Sequence, residues 1–126
     1  MTTQEKIQSL RERIRKFVLE VISFSRPLAK NDLNRILINQ LLRSTTSIGA
    51  NFEEASEAES NKDVIHKLAI SKKEVRETVY WLEIIRDSKI VTTALVTTLI
   101  SEAIQLARIF SSLIQRRKLS NSAIDH

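Results

Sequence analysis

Glycine and proline occur only once each in this chain of 126 residues, as Gly49 and Pro27. Together they usually make up about 12% of a protein sequence, and β-structure depends on them at turns and bulges. A chain with so few turn residues has to form a small number of long helices. The sequence therefore predicts an all-α protein, and its length suits one domain with a single modest core.

Four segments repeat apolar residues at alternating spacings of three and four, the pattern of amphipathic helices. We expect helices at about 4–28, 32–58, 61–87 and 92–118, followed by a flexible tail over 119–126. Because the connections are short, each helix should run antiparallel to the one before it, in an up-and-down four-helix bundle. In the second segment the predicted buried face is Leu33, Ile36, Leu37, Leu41, Ser44, Ile48, Phe52 and Ala55.

Residues that can cap helices stand at the predicted starts. Thr2 followed by Glu5 matches a capping box, in which each side chain bonds the other residue's backbone amide. Pro27 should end or kink the first helix, because proline disfavours helical geometry in the preceding residue. The other candidate caps are Asn31 or Asp32, Ser60 with Asp63, and Thr92 or Thr93.

The second segment contains a run of small residues over 44–50, with Gly49 inside it. A glycine in mid-helix costs about 1 kcal/mol relative to alanine. We therefore expect this run to allow the close approach of a neighbouring helix or a bulky ring. Asn51 follows the run, and an asparagine inside a helix usually makes a specific hydrogen bond.

Four glutamates, Glu53, Glu54, Glu57 and Glu59, come next. The sequence leaves three interpretations open: a solvated acidic turn, a structural ion pair, or a carboxylate site for a metal or for catalysis. Tyr80 and Trp81 also allow three interpretations. Adjacent residues face about 100° apart on a helix, so the two rings do not point in the same direction. They can be core residues, anchors in a subunit interface, or a stacking platform for a nucleobase.

No known arrangement for catalysis or metal binding is recognisable. The absence of cysteine excludes disulfides and thiolate sites. The two histidines, His66 and His126, lack the spacing of a helical metal site, and no glycine-rich phosphate loop is present. We therefore predict no enzyme, no catalytic or metal site, no cofactor and no small-molecule substrate.

Residues 1–17 carry charges every few positions, so we expect neither a signal peptide nor a membrane contact, and a cytoplasmic location is the default. The net charge of +5 is too mild to establish a nucleic-acid partner but permits one. The basic residues can be a solvated face or a surface for RNA or DNA. The candidates for such a nucleic-acid surface are Arg11, Arg13, Arg15, Lys16, Arg116, Arg117 and Lys118.

One stretch of the chain resembles a known family. It reads RSTTSIGANFEEA, followed by S-x-x-D-x-I-x-K-L-x-I-x-x-K-E-x-x-E-T-x-Y-W-L. This is similar to the 23S rRNA-intervening sequence protein family, over about residues 28–114. The family's common motif is close to S-I-P-S-N-I-A-E-G. Ser47, Ile48, Asn51 and Glu54 match it, whereas Gly49 and Ala55 replace the proline and the glycine, a change that a continuous helix would prefer.

The resemblance implies an up-and-down four-helix bundle that forms homo-oligomers, often pentameric rings. The related accessory proteins of diversity-generating retroelements bind a reverse transcriptase and nucleic acid through basic surface. The resemblance therefore also makes nucleic-acid binding an expectation for this chain.

These observations predict a non-enzymatic homo-oligomer that acts as a scaffold or adaptor, with RNA binding as the alternative. The apolar stripes are wider than the centre of one bundle requires, which favours self-association. Tyr80 and Trp81 are the predicted aromatic interface. The predicted polar packing or interface cluster is Arg43, Ser47, Asn51, Glu54 and Glu77.

Overall fold

The computed structural model describes residues 1–124, with side chains up to Ser120, as a bundle of four long helices. They are α1 (Thr3–Ser25), α2 (Asp32–Ser56), α3 (Asn61–Asp87) and α4 (Leu95–Ile124). No β-strand occurs among the described residues. The predicted all-α four-helix bundle is confirmed.

Each helix packs against the next one along the chain, and α1 also packs against α4, which closes the bundle. The backbone of α3 approaches both α2 and α4 closely, whereas α1 stands farther from its two neighbours. Phe52 and Phe110 join α2 to α4 in the core by an edge-to-face contact, with ring centroids 6.3 Å apart. None of the described helices has an apolar stretch long enough to cross a lipid bilayer.

The predicted caps of the first three helices are present. The Glu5 amide donates to Thr2 Oγ1 at 3.1 Å, and the Thr2 amide donates to Glu5 Oε2 at 3.2 Å, which completes the capping box. Asn31 accepts from the amide of Asn34 at 2.8 Å. Ser60 caps α3 by accepting from the amide of Asp63 at 3.1 Å.

Some helix boundaries differ from the predicted ones. α1 ends at Ser25, and a short 3-10 helix over Arg26–Leu28 follows, because Pro27 cannot continue the α-helical hydrogen bonds. α4 begins at Leu95, so neither predicted threonine directly precedes it. It continues to Ile124, beyond the predicted end at Lys118, since no glycine or proline stops it. His126, the histidine of the predicted tail, lies outside the described residues.

Most of the predicted buried face of α2 is confirmed, but its first turns are not. Leu33 and Ile36 expose 66% and 60% of their surface, so the prediction that they are buried was wrong. Ile36 lies about two helical turns before Arg43 and therefore on the same outward side of α2. Ile38 fills the core at that level instead.

α2 runs through Gly49 without a break. A Cβ atom added at Gly49 would meet Ile14 Cγ2 at 3.6 Å, an ordinary van der Waals distance. No other helix or ring therefore requires glycine at this position, and the expected role of Gly49 in close packing is not supported.

We expect Gly49→Ala to raise the free energy of unfolding by about 1 kcal/mol, because alanine is the better helix former and fits the space. Urea unfolding followed by circular dichroism measures the change. The neighbouring exposed Ala50 provides the control, since Ala50→Gly should lower stability by a similar amount. A loss of stability in Gly49→Ala would show that the glycine is needed for another reason.

Candidate functional site

A buried row of hydroxyl groups lies where α2 meets α3. We call Ser44, Thr45, Ser71 and Thr78 the hydroxyl seam, and all four side chains are fully buried. Thr78 Oγ1 lies 2.9 Å from Ser44 Oγ and 3.4 Å from Thr45 Oγ1. Ser71 Oγ donates across the interface to the carbonyl oxygen of Ile48 at 3.0 Å. The predicted close approach at the small residues therefore occurs, and it is made with α3.

The hydroxyl seam is fully hydrogen-bonded. Ser44 and Thr45 each donate to the carbonyl oxygen of Leu41, at 3.1 and 2.7 Å. Thr78 Oγ1 also lies 2.9 Å from the carbonyl oxygen of Glu74. Among the described residues no buried side-chain nitrogen or oxygen lacks a partner. A satisfied polar row of this kind favours one axial register between two helices.

Beside the seam, Arg43 of α2 reaches two glutamates of α3. Its guanidinium is 3.4 Å from Glu74 Oε2 and forms a second, shorter ion pair with Glu77. Trp81 Nε1 donates to the same Glu77 oxygen at 3.4 Å. The hydrogen bond from Arg43 holds the pKa of Glu77 below its usual range, and Glu77 in turn raises the pKa of Arg43.

The five residues of the predicted polar cluster form a row along α2 and α3 and not one bonded network. Arg43 and Glu77 are paired. Asn51 Nδ2 donates to the carbonyl oxygen of Ser47 within α2, at 2.9 Å. Glu54 pairs with Lys67 at 2.6 Å between the exposed ends of the two side chains. The row is largely accessible to solvent, so breaking its ion pairs should cost less than it would in a fully buried cluster.

Glu74, the most buried acidic side chain at this site, is missing from the predicted cluster. It retains only 11% of its side-chain exposure. The sequence contained a signal, because Glu74 stands between the seam positions Ser71 and Thr78 at helical spacings of three and four. A carboxylate so placed lies at the edge of the helix interface and needs a cation from the facing helix.

Towards the start of α2 the same surface becomes apolar. Tyr80 is 54% exposed, and its ring meets the half-buried Trp81 edge to face, with centroids 5.0 Å apart. The pair Arg43–Glu77 places the exposed side of α2 beside the exposed side of α3, and beyond this pair Ile36 follows about two turns along α2 and Trp81 about one turn along α3. We call this surface the outer α2–α3 face. Its residues are Leu33, Ile36, Arg43, Ser47, Asn51, Glu54, Glu77, Tyr80 and Trp81.

The predicted basic residues of α1 do not share one surface. Arg11 turns towards α2, where it pairs with Glu53 at 2.8 Å. Arg13 turns towards α4, where it pairs with Glu102 at 2.6 Å, and this carboxylate raises the pKa of Arg13. Arg15 is exposed between them.

The remaining predicted basic residues differ in their surroundings. Lys16 lies 3.8 Å from Glu20 within α1. At the end of α4, Arg116 and Lys118 are exposed, whereas Arg117 donates to Asn61 Oδ1 at 3.2 Å. Binding of nucleic acid by these residues stays a prediction.

All four glutamates over 53–59 can now be placed. Glu53 and Glu54 make ion pairs with neighbouring helices, and Glu57 and Glu59 are exposed in the connection after α2. In the described part of the chain no three potential metal ligands among histidine and acidic side chains come together. His66 is exposed on α3. The residues at the α2–α3 junction can fix two helices in register and present a mixed apolar and charged surface.

Comparison with known proteins identifies the fold family. The family model described as 23S rRNA-intervening sequence protein matches residues 6–112. A crystal structure from Bacteroides thetaiotaomicron, described as a protein with unknown function from the S23 ribosomal protein family, is 30% identical, with a TM-score of 0.81. The alignment covers 87% of this chain and 98% of that one. None of the curated proteins matches the sequence. The chain belongs to the 23S rRNA-intervening sequence protein family.

Proposed function

We propose that this protein is a non-enzymatic helical bundle that associates with copies of itself and serves as a scaffold or adaptor. The observation that carries the proposal is the apolar part of the outer α2–α3 face. Leu33, Ile36 and Tyr80 each expose more than half of their surface there. Exposed apolar residues grouped on one face of a small domain mark a protein contact.

The composition of the face supports a second copy of the chain as the partner. Tyrosine, tryptophan and arginine are the residue types enriched at the centres of protein interfaces. Arg43 and Glu77 place both signs of charge beside the apolar residues, so another copy can approach without net repulsion. The family resemblance favours five copies, and in such a ring each copy would use this face against a different surface of its neighbour.

The test is the mass of the protein in solution. We expect light scattering at micromolar concentration to give the mass of several 14.5 kDa chains, five for a pentameric ring. The double substitution Leu33→Asp with Ile36→Asp should reduce the mass to one chain, because charges on this face would have to be buried in the contact. Both residues are exposed, so circular dichroism should report an unchanged helical bundle.

Leu19→Asp is the matched control. Leu19 is 51% exposed on α1, away from the outer α2–α3 face, so the variant keeps the mass of the unmodified protein if α1 takes no part in the contact. A monomeric Leu19→Asp would instead identify α1 as the surface of the neighbour that receives this face. A mass of one chain for the unmodified protein would reject self-association. An oligomer that persists in the double variant would place the contact on another surface.

A further inference from the structure

A groove runs between α3 and α4 on the side of the bundle away from α1. It has a volume of about 280 Å³. We call it the α3–α4 groove, and it shares no residue with the outer α2–α3 face. Its lining residues are Arg76, Val79, Ile104, Ala107, Arg108 and Ser111.

The charge of the groove is of one sign. Arg76 and Arg108 are exposed, one on each wall, and no carboxylate lines the groove. Within the described residues neither arginine has an ion-pair partner, unlike Arg11, Arg13 and Arg43. Outside the lining, Lys72 lies one helical turn before Arg76 and adds positive charge, whereas Glu83 lies one turn beyond Val79 and is 3.9 Å from Arg86. An occupant of this groove should carry negative charge along its flanks.

The floor of the groove is aliphatic. Val79 and Ala107 are partly buried and pack against the core, and Ile104 remains 40% exposed between the walls. No aromatic side chain lines the groove, so it offers no platform on which nucleobases could stack. A bare phosphate backbone would leave the aliphatic floor without a partner, which favours an occupant with an apolar stripe.

We propose that the α3–α4 groove binds an acidic amphipathic helix of a partner protein. A groove between two helices receives a third helix through apolar residues spaced at three and four, as in other helix-in-groove complexes. Leucine side chains of the partner would cover Val79 and Ile104, and its glutamates would pair with Arg76 and Arg108. This inference names the partner of the adaptor role proposed above and rests on that role.

The probe is a fluorescein-labelled synthetic peptide of about four helical turns, with leucines along one face and glutamates on both sides of them. We expect its fluorescence anisotropy to rise with added protein. Arg76→Glu and Arg108→Glu should each weaken binding about tenfold or more, because each reversal places like charges together. Ile104→Ser should also weaken binding by covering less apolar surface.

Arg15→Glu is the matched control, since Arg15 is exposed on α1 and should not affect binding of the peptide. Absence of peptide binding, or equal loss in Arg15→Glu, would overturn the proposal. Equally tight binding of polyglutamate or of a single-stranded RNA of the same charge would also overturn it, in favour of a site for any polyanion. Light scattering of the same samples distinguishes a failure of the self-association proposal from a failure of the groove proposal. A monomer that binds the peptide would contradict self-association and leave the groove proposal intact.

Discussion

Replacing Ser44 with leucine is expected to lower the free energy of unfolding by about 3 kcal/mol. Ser44 is fully buried in the interface between α2 and α3, and its Oγ lies 2.9 Å from Thr78 Oγ1. A leucine there would have to push the two helices apart. It would also remove a hydrogen-bond partner of Thr78, which adds about 1 kcal/mol to the same effect. Urea unfolding followed by circular dichroism gives the value.

Two further variants separate packing from hydrogen bonding. Thr46→Leu adds a similar volume on the exposed side of α2 and should change stability by less than about 0.5 kcal/mol. Ser44→Ala removes the hydroxyl without adding volume. It should cost about 1 kcal/mol or less, because Thr78 keeps the carbonyl of Glu74 as a partner. If Ser44→Leu were as stable as Thr46→Leu, α2 and α3 would not be closely packed at this point.

The four helices could be predicted from sequence because the signals for them are local. Apolar spacing and capping residues depend only on near neighbours in the chain. The run of small residues also predicted correctly that a neighbouring helix packs closely against α2. It did not predict which residues of the run make that contact. Ser44 and Thr45 face α3, whereas Gly49 faces Ile14 of α1 at an ordinary distance. That difference depends on how the helices are rotated in the bundle, and one helix's sequence does not define it.

The candidate site was predictable only in part for the same reason. Apolar residues spaced three and four apart show where a buried stripe runs but not how wide it is. Leu33 and Ile36, at the border of the stripe on α2, proved to be exposed. Arg43 and Glu77, two members of the predicted cluster, form an ion pair. Glu74 was missed because a glutamate suggests a solvated position unless the facing cation is known. Ion pairs across helices, such as Arg13 with Glu102, require the three-dimensional register.

Replacing Arg43 with methionine is expected to lower the free energy of unfolding by about 2 kcal/mol at neutral pH. Most of the loss comes from Glu74, which would remain nearly buried without its cation. The half-exposed pair with Glu77 adds less, since solvent screens it. Arg35→Met is the control. Arg35 pairs with the fully accessible Asp32, so its loss should cost less than about 0.5 kcal/mol.

The pH dependence of the same variant tests the ion pair with Glu77 directly. Because Arg43 lowers the pKa of Glu77 in the folded protein, the pair stabilises the fold above the ordinary glutamate pKa of about 4.3. That contribution is lost as the pH falls through the lowered pKa. The unmodified protein should therefore lose more stability than Arg43→Met between neutral and acidic pH, and the difference between their free energies of unfolding should become smaller. A constant difference between them at every pH would mean that Arg43 stabilises the bundle by packing its aliphatic stem and not by its charge.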